Sequence, residues 1–488
     1  MNPTEFRKHA HGLVDWMADY LEHVESYPAK AQVTPREIFD RLPATPPPDG
    51  EPFENIFKDF KEIILPGMTH WQHPSFFAYF PANNSAPSIL AEMLTATMGA
   101  QCMSWLTSPA ATELEERMMQ WLRSMTGLPS GFTGVIQDTA STATLCSILT
   151  AREAHSQYMV NQHGFSHDTR FTAYCSQETN SSIEKAIKIA GLGKEHLRKI
   201  EVDAKFALIP EALERSIQKD ISDGCTPFCV VATIGTTSST AIDPVRSIGE
   251  LCRKYRMWLH VDAAFAGSAL LLPEQRWMIE GIELADSFVF NPHKWMFTNF
   301  DCSAYFVKDP EALIKTFEIL PEYLKTPERE RVNNYRDWGI QLGRRFRALK
   351  LWFVIRSFGV SGLQAKIRTH IRMAQHLADT IKSSPGFELL APVPLNTVCF
   401  RYRPMHISDQ DTLNRLNSML LENLNATGKL FLTHTKLNGR FTLRLVIGQT
   451  EVQQHHVDQA WALIEQQARS LEKLATESPR LRSYDIFL

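Results

Sequence analysis

From about residue 86 onward, short apolar runs alternate with longer segments of helical periodicity, and this alternation limits the possible folds more than any other feature. It is typical of a mostly parallel β-sheet with helices on both faces. The sequence therefore predicts an α/β fold. Four strands of the sheet are predicted at residues 229–234, 258–261, 287–290 and 303–307.

The N-terminal segment has a different pattern. Residues 4–24 place apolar side chains at three- and four-residue spacing, which predicts an amphipathic helix that needs a surface to cover. Five prolines between residues 42 and 53 exclude a continuous helix there and indicate a connector. A second helix is expected over residues 53–64.

The C-terminal region returns to mixed patterns that predict a small α/β domain. It contains predicted helices at 341–384 and 451–474 and predicted strands at 398–402 and 441–446. We therefore divide the chain into an N-terminal helical segment (1–85), a large domain (86–375) and a small domain (376–488).

Composition excludes several functional classes. The 488 residues carry a net charge of -3, which gives no bias toward nucleic acid or an anionic membrane. Eight scattered cysteines without a Cys-x-x-Cys pair are typical of a reduced, cytoplasmic protein. The N-terminus has no signal-peptide pattern, and no apolar run reaches the roughly 18 residues of a membrane span. No metal site is expected.

The strongest local signal is residues 291–295 (Asn-Pro-His-Lys-Trp), which directly follow an apolar strand ending at Phe290. Open α/β sheets present reactive side chains where strands end. A lysine at the rim of a buried pocket can lose its proton and condense with an aldehyde, which is the attachment that pyridoxal 5'-phosphate requires. Taken alone, Lys294 fits a solvated loop lysine better, so its assignment depends on the neighbouring elements.

The strand at 258–261 ends in a carboxylate, Asp262. A buried acid needs a cationic partner, and the protonated pyridine nitrogen of the cofactor is such a cation. This pairing makes the ring a better sink for electrons from the substrate Cα. Ala264 would leave room for the ring face. By itself, Asp262 fits a helix N-cap equally well.

Residues 139–144 (Thr-Ala-Ser-Thr-Ala-Thr) begin a predicted helix after the apolar segment 134–138. Backbone N–H groups and hydroxyls at a helix N-terminus bind phosphate, although an ordinary Ser/Thr cap is the alternative. The strand ending at Ile234 also runs into small polar residues that can flank a cofactor, Gly235-Thr236-Thr237. Together these segments describe a phosphate cradle, a ring anchor and a reactive lysine.

Three segments carry a resemblance to a known family: 291–295, 260–264 (His-Val-Asp-Ala-Ala) and 71–81 (Trp-Gln-His-Pro-Ser-Phe-Phe-Ala-Tyr-Phe-Pro). They resemble the group II pyridoxal-phosphate decarboxylases, and the aromatic L-amino acid decarboxylases among them. The similarity spans almost the entire chain, including 342–347 (Leu-Gly-Arg-Arg-Phe-Arg). It implies the aspartate aminotransferase fold (fold-type I), decarboxylation of an aromatic amino acid, and an obligate homodimer with active sites at the interface.

The resemblance also implies residue roles. Lys294 would hold the cofactor, Asp262 would pair with its pyridine nitrogen, and Ala264 would lie against its ring. The other cofactor contacts would be Ala140, Ser141, Asn180, Thr237, Asn291 and His293. The substrate pocket would be shaped by Trp71, Tyr79, Phe80 and Pro81, with Gln101 and Met103 from the partner chain. An aromatic pocket suits an aromatic substrate, although core packing would explain the 71–81 cluster without the family.

The sequence departs from the family pattern at Asn180. Family members usually carry a histidine stacked over the cofactor ring, in a His-Ser-Ser segment, where this chain has Asn180-Ser181-Ser182. Imidazole delivers protons near neutral pH, whereas a carboxamide has no titratable nitrogen there. This replacement resembles the insect aldehyde synthases, which use dioxygen and release an aromatic acetaldehyde, ammonia and hydrogen peroxide. It favours an aromatic acetaldehyde synthase over a plain decarboxylase that produces the arylalkylamine.

A second feature counts in the other direction. Residues 326–334 are charged and nearly free of apolar anchors, which predicts a mobile loop. The adjacent Tyr335 matches the family's loop tyrosine, the presumed proton donor to Cα in amine formation. Plant aldehyde synthases typically carry phenylalanine there, whereas the insect pattern keeps the tyrosine and loses the histidine, as this chain does.

Other classes stay open. An aminotransferase or an acidic amino acid decarboxylase would share Lys294 and Asp262, but aminotransferases commonly need an arginine clamp for the α-carboxylate, and none is assigned here. A catalytically inactive scaffold that keeps the fold for dimerisation is also conceivable. The presence of Lys294, Asp262 and Tyr335 argues against it.

Overall fold

The computed structural model describes residues 1–166, 169–319 and 331–477. Most of the mobile loop predicted over residues 326–334 lies outside this described part. The chain divides into two compact units. Unit 1 comprises Met1–Pro81, His376–Leu390 and Phe400–Leu488, and unit 2 comprises Ala82–Gln375 and Ala391–Cys399. The three-part division at residues 85 and 375 stays a prediction.

Unit 2 is built on a seven-stranded sheet in the order β1-β7-β6-β5-β4-β2-β3. Its strands are β1 (Thr133–Gln137), β2 (Phe171–Ser176), β3 (Leu197–Ile200), β4 (Thr226–Thr233), β5 (Trp258–Asp262), β6 (Ser287–Phe290) and β7 (Ser303–Val307). Neighbours pair in parallel, except that β7 runs antiparallel to both β1 and β6. All strands other than β7 therefore present their carboxyl ends at one edge, here called the carboxyl edge. The predicted mostly parallel sheet is confirmed.

Helices cover this sheet. They are α4 (Ala86–Met98), α5 (Pro109–Thr126), α6 (Ala140–His155), α7 (Met159–His163), α8 (Ser181–Ile189), α9 (Pro210–Ser222), α10 (Val245–Tyr255), α11 (Pro292–Trp295) and α12 (Pro310–Phe317). Every residue of β6 and β7 is buried, so both faces of the sheet are shielded from water. Helix α6 packs along β4 to β7, and α9 and α10 pack against β4. The predicted α/β class is confirmed.

The longest helix is α13 (Arg347–Ser383), which matches the helix predicted over 341–384. It is interrupted at Gly359, whose φ of 63° and ψ of 165° are not helical. A residue with a Cβ rarely adopts this conformation, so glycine allows the break.

Unit 1 contains two groups of helices and a small sheet. The helices are α1 (Pro3–Glu22), α2 (Glu37–Arg41), α3 (Phe53–Asp59), α14 (Gln410–Ala426) and α15 (Gln454–Glu477). The four-stranded sheet, in the order β10-β11-β9-β8, contains β8 (Phe387–Leu389), β9 (Thr397–Tyr402), β10 (Thr433–Leu437) and β11 (Arg440–Val446). The first three residues of β9 are assigned to unit 2. The small α/β pattern predicted near the C-terminus is present.

Helix α1 begins with a capping box, in which the Asn2 side chain accepts the backbone N–H of Glu5 and the Glu5 carboxylate accepts that of Asn2. The helix has the predicted amphipathic pattern, but no residue in it is buried. Phe6 and Leu21 of the apolar stripe are exposed, whereas Ala10, Leu13 and Met17 are half-buried. The described chain therefore covers this stripe only in part.

The thiols agree with a reduced protein. All eight cysteines are free, and all but Cys225 are buried. Among the helices of the described ranges, none combines the length and the hydropathy needed to cross a lipid bilayer.

Candidate active site

The residues expected to bind the cofactor lie at or just after strand ends at the carboxyl edge of the large sheet. Strand β1 leads into α6, β2 into α8, and β6 into α11. The backbone ties the loops after β4, β5 and β6 together: the N–H of Ile234 donates to the carbonyl of Asp262 at 2.9 Å, and the N–H of Asn291 donates to the carbonyl of Ala264 at 2.9 Å. The geometry of the edge is thus set by main-chain bonds.

Lys294 and Asp262 influence each other's pKa at this edge. Burial lowers the pKa of the Lys294 amine, and the Asp262 charge partly opposes that shift. Burial raises the pKa of the buried Asp262 carboxyl, while the N–H of Ala264, which donates to Oδ1 at 3.0 Å, and the charge of Lys294 lower it. The result is an amine that releases its proton readily and a carboxylate that gains from a nearby cation.

The short helix that carries Lys294 is held from outside. The backbone N–H of Asn83 donates to the carbonyl of His293 at 3.0 Å, and its side-chain Nδ2 donates to the carbonyl of Lys294 at 2.5 Å. Ser85 Oγ donates to the carbonyl of Phe297 at 2.7 Å. Sequence reasoning missed Asn83, because its polar neighbours signal a turn but nothing local identifies a partner 211 residues away.

Asn291 and His293 both precede Lys294 in the chain, but their side chains have different surroundings. Asn291 is buried, and its Oδ1 accepts the hydroxyl of Ser303 at 2.7 Å, which orients the amide. His293 Nδ1 accepts the backbone N–H of Cys302 at 2.8 Å, and burial lowers the pKa of His293 to about 3. The His293 ring also lies 4.8 Å from the ring of Phe300. This geometry favours a role for His293 in holding the turn rather than the expected cofactor contact.

The N-terminus of α6 has the features expected of a phosphate-binding helix end. Thr139 is the N-cap, and its Oγ1 accepts the N–H of Thr142 at 3.4 Å. Ala140 and Ser141 occupy the first two helical positions, whose N–H groups have no partner within the helix and lie at the positive end of the helix dipole. A reactive amine, a carboxylate and an anion-binding helix end are the groups that an aldehyde-bearing, phosphorylated pyridine requires. The residues present therefore fit pyridoxal phosphate.

Asn180 occupies the N-cap of α8, where the structure engages both ends of its amide. Its Oδ1 accepts the N–H of Ser182 at 2.9 Å, and its Nδ2 donates to the hydroxyl of Thr237 at 2.9 Å. The structure thus brings together two of the predicted cofactor contacts. A carboxamide held in this way is well oriented but has no proton to exchange near neutral pH.

Tyr335 lies in a buried setting. It begins a short 3-10 turn, Tyr335–Asp337, and is only 3% exposed. Its ring packs against Trp338 and lies 5.0 Å from the guanidinium of Arg344. Burial raises the pKa of the phenol well above its usual value. The mobile loop predicted before Tyr335 lies mostly outside the described residues, and the role of Tyr335 as proton donor stays a prediction.

Gln101 and Met103 are fixed by the segment that follows Tyr335. Gln101 Oε1 accepts the backbone N–H of Arg344 at 2.8 Å, and the carbonyl of Met103 accepts the N–H of Arg336 at 3.0 Å. Their contribution to the pocket of a second chain stays a prediction.

The predicted substrate residues of unit 1 form an aromatic cluster. The rings of Trp71 and Tyr79 stack at 5.9 Å, and Tyr79 meets Phe431 edge-on at 5.8 Å. Phe80 lies 5.4 Å from the guanidinium of Arg444, and Pro81 is buried. Sequence reasoning missed two members of this cluster, Phe431 and Arg444. No local pattern links them to a segment more than 300 positions earlier.

A group of possible metal ligands, Glu25, His455 and His456, lies in unit 1. His456 Nδ1 accepts the backbone N–H of Gln453 at 3.0 Å, which leaves the proton of the neutral ring on Nε2. That nitrogen lies 3.3 Å from Glu25 Oε2. The arrangement is therefore better suited to a histidine-carboxylate pair than to a metal ion.

Comparison with known proteins agrees with this geometry. Residues 35–403 match the family described as the pyridoxal-dependent decarboxylase conserved domain. A tryptophan decarboxylase from Camptotheca acuminata is 43% identical over 483 residues, covering 97% of this chain and 95% of the relative. A phenylacetaldehyde synthase from Petunia hybrida is 40% identical over 489 residues, covering 96% of this chain and 95% of the relative.

The fold has a solved counterpart of the same extent. The crystal structure of Oryza sativa TDC with PLP and tryptamine superposes with a TM-score of 0.93 at 37% identity, covering 96% of this chain and 99% of that chain. Similarity thus extends over both units of the chain.

Proposed function

Because this chain belongs to the pyridoxal-dependent decarboxylase family and is thereby a pyridoxal-phosphate-dependent carboxy-lyase, we propose that it removes the α-carboxylate of an aromatic L-amino acid with the cofactor held on Lys294. The observation that carries this assignment is that Lys294 and Asp262 are both buried at the carboxyl edge, where the charge of each affects the pKa of the other. The aromatic cluster around Trp71 and Tyr79 and the names of the relatives support an aromatic substrate rather than an acidic one.

Each residue then has a defined task. A bound cofactor would supply an electron sink for the substrate Cα, and the Asp262 carboxylate would strengthen that sink as the partner of the pyridine nitrogen. The neutral Lys294 amine would hold the aldehyde carbon of the cofactor. The N-terminus of α6 would hold its phosphate. The pocket must hold the Cα-carboxylate bond perpendicular to the ring, so that the breaking bond overlaps the π system.

The product depends on what protonates the substrate carbon after carbon dioxide leaves. Asn180 has no titratable proton, and its amide is engaged by Ser182 and Thr237. Without an acid at this position, the carbon stays electron-rich long enough to reduce dioxygen. The overall reaction then converts the amino acid, dioxygen and water into an aromatic acetaldehyde, carbon dioxide, ammonia and hydrogen peroxide. We therefore propose aldehyde synthesis, with dioxygen as co-substrate.

The alternative is a plain decarboxylase that releases the arylalkylamine. It is favoured by the tryptophan decarboxylase, which resembles this chain slightly more than the phenylacetaldehyde synthase does. The two reactions differ in one competing protonation, and a change of about 1.4 kcal/mol in its barrier alters the product ratio tenfold.

The test compares the wild-type protein with Asn180→His and Asn180→Gln. Each protein, loaded with cofactor, is incubated in air with phenylalanine, tyrosine, dihydroxyphenylalanine or tryptophan, and amine, aldehyde and peroxide are measured together. We expect the wild type to form aldehyde and peroxide in equal amounts. Asn180→His should shift the ratio toward amine by about tenfold. Asn180→Gln also loses the N-cap geometry of asparagine, as Asn180→His does, but it keeps a carboxamide. It should therefore not produce that shift.

Amine without peroxide from the wild type would make the protein a plain decarboxylase. It would also show that Asn180 does not direct the reaction toward the aldehyde. No carbon dioxide from any aromatic amino acid would overturn the proposed function as a whole.

We also propose that the active form is a cytoplasmic homodimer with active sites at its interface. Exposed apolar side chains on α4 provide a surface that a second copy can cover. They are Leu90, Met93, Leu94 and Met98. Light scattering should give twice the mass of the 55.5 kDa chain. An active monomer would contradict this assembly.

A further inference from the structure

A chain of buried polar side chains lies beneath the site. Thr144 Oγ1 on α6 shares a hydrogen bond with His260 Nε2 on β5 at 3.1 Å. His260 Nδ1 shares another with Ser287 Oγ on β6 at 2.9 Å. None of the three side chains is exposed. The imidazole therefore bridges the helix and two strands through a region that water does not enter.

The chain continues on one side of the histidine. Ser287 Oγ and Ser147 Oγ lie 2.7 Å apart, and the indole N–H of Trp258 donates to both hydroxyls, at 3.0 Å and 3.1 Å. A neutral imidazole donates through one nitrogen and accepts through the other, so it satisfies a hydroxyl on each side. Burial lowers the pKa of His260 to about 3, which keeps the ring neutral at physiological pH.

Each of the three elements has one end at the proposed site. Thr144 lies one helical turn after Ala140, at the phosphate-binding end of α6. His260 and Asp262 are two positions apart on β5 and project from the same face of the sheet. Ser287 begins β6, the strand that leads to Lys294. The histidine thus connects the phosphate cradle, the ring anchor and the strand of the reactive lysine.

The distance between the N-terminus of α6 and Asp262 matters for cofactor binding, because the phosphate and the pyridine nitrogen of the cofactor belong to one small, stiff molecule. If α6 moved relative to β5 by even a fraction of an ångström, the two ends of that molecule could not both be bound well. A bridging side chain of fixed size removes that freedom.

We propose that His260 is a positioning residue that sets the separation between the N-terminus of α6 and Asp262, and thereby selects pyridoxal phosphate over unphosphorylated pyridoxal. The inference rests on the proposed cofactor-binding roles of α6, Asp262 and Lys294. It adds a residue that touches neither cofactor nor substrate and acts through the two elements that do.

The experiment measures dissociation constants of pyridoxal phosphate and of pyridoxal for the apoprotein, by absorbance and fluorescence titration, in wild type and His260→Leu. Leucine fills much of the space but leaves the hydroxyls of Thr144 and Ser287 without the bridge. We expect the dissociation constant of pyridoxal phosphate to rise by about tenfold or more. That of pyridoxal, which meets Lys294 and Asp262 but not α6, should change less than about threefold.

A second variant approaches the same bridge from the helix. Thr144→Val keeps the side-chain shape, removes one hydrogen bond and leaves the histidine in place, so it should reproduce the selective loss of phosphate-dependent affinity. Because both changes break one bridge, the double variant should lose little more than the more affected single variant. Thr150→Val is the matched control: Thr150 is buried on the same helix, but its hydroxyl donates to the carbonyl of Cys146 within α6. It should leave both dissociation constants unchanged.

Equal weakening of both ligands would overturn the inference and make His260 a general packing residue. So would a lower melting temperature with unchanged selectivity. If His260→Leu fails to fold, Thr144→Val decides the question by the same two constants. A wild-type protein that binds neither ligand would instead overturn the proposed function, and that outcome is visible before any variant is compared.

Discussion

The amine of Lys294 and the carboxylate of Asp262 owe their unusual pKa values to burial, and each partly corrects the other. Such reciprocal perturbation is typical of functional sites, where a group must be held in a charge state that water would not favour. Here it leaves one group ready to condense with an aldehyde and the other ready to accept a ring cation.

Replacing Asp262 by asparagine should therefore change the titration of Lys294. Because the Asp262 charge raises the pKa of the amine, its removal should lower that pKa further, so the neutral form should persist to lower pH. We expect the pH profile for the reaction of apoprotein Lys294 with pyridoxal to move to lower pH. Asp243→Asn removes a different buried carboxylate and serves as the control. An unshifted profile in Asp262→Asn would show that the two charges do not interact.

Tyr335 is the proton donor that the resemblance predicted for amine formation, and its ring is buried against Trp338 and near Arg344. We expect Tyr335→Phe to remove most of the amine, about tenfold, while sparing the aldehyde, because the ring packing is retained and only the phenolic proton is lost. The measurement is the same three-product assay in air. Unaltered amine output would show that Tyr335 is not the donor.

At the scale of the element, α13 provides a direct comparison between two glycines. Gly359 has a φ of +63° and no atoms close to the position of an added Cβ, so alanine there should cost only backbone strain, about 1–3 kcal/mol. Gly362 is helical, and an added Cβ would meet Phe358 Cβ at an ordinary 3.6 Å. Gly362→Ala should therefore stabilise the protein by about 1 kcal/mol.

Urea unfolding of the two variants checks that their changes in the free energy of unfolding have opposite signs. Both changes add one methyl group to the same helix, so each controls for the other. Equal effects would mean that the interruption at Gly359 is not maintained in solution.

At the scale of the whole molecule, three buried histidines make the fold sensitive to acid. Burial lowers the pKa of His260, His293 and His370 to about 3 in the folded state. In the unfolded chain they bind protons near pH 6.5. Stability is therefore fully present above pH 6.5 and is lost as the pH falls toward 3. Each histidine contributes about 1.4 kcal/mol per pH unit, so the three together contribute about 4 kcal/mol per unit.

Urea midpoints of the apoprotein between pH 7.5 and 5 should show this loss. His370→Gln can still accept the indole N–H of Trp295, which now donates to His370 Nδ1 at 2.9 Å, but it cannot titrate. It should reduce the slope by about 1.4 kcal/mol per pH unit. His376→Gln, at an exposed position of the same helix, should not change it. An identical slope in all three proteins would refute the contribution of His370.

The amino-acid sequence by itself determined the fold class and identified the two residues that we propose as the centre of the site. Strong apolar strands followed by helices are local patterns. Asp262 ends one such strand, and Lys294 lies four residues after the end of another. A residue next to a strand end is carried to the carboxyl edge wherever the strand lies in a parallel sheet. The helix N-terminus at Ala140 could also be predicted, because the residues that cap a helix are its neighbours in the sequence.

Only the tertiary structure decided the direction of β7, the bond from Asn180 to Thr237, the clamp of Asn83 on the lysine turn, and the inward positions of His293 and Tyr335. The same holds for the bridge made by His260. These features join segments tens to hundreds of residues apart. Hydrophobic periodicity reports which face of an element is buried, but not which partner covers it, because that choice depends on packing the whole core at once.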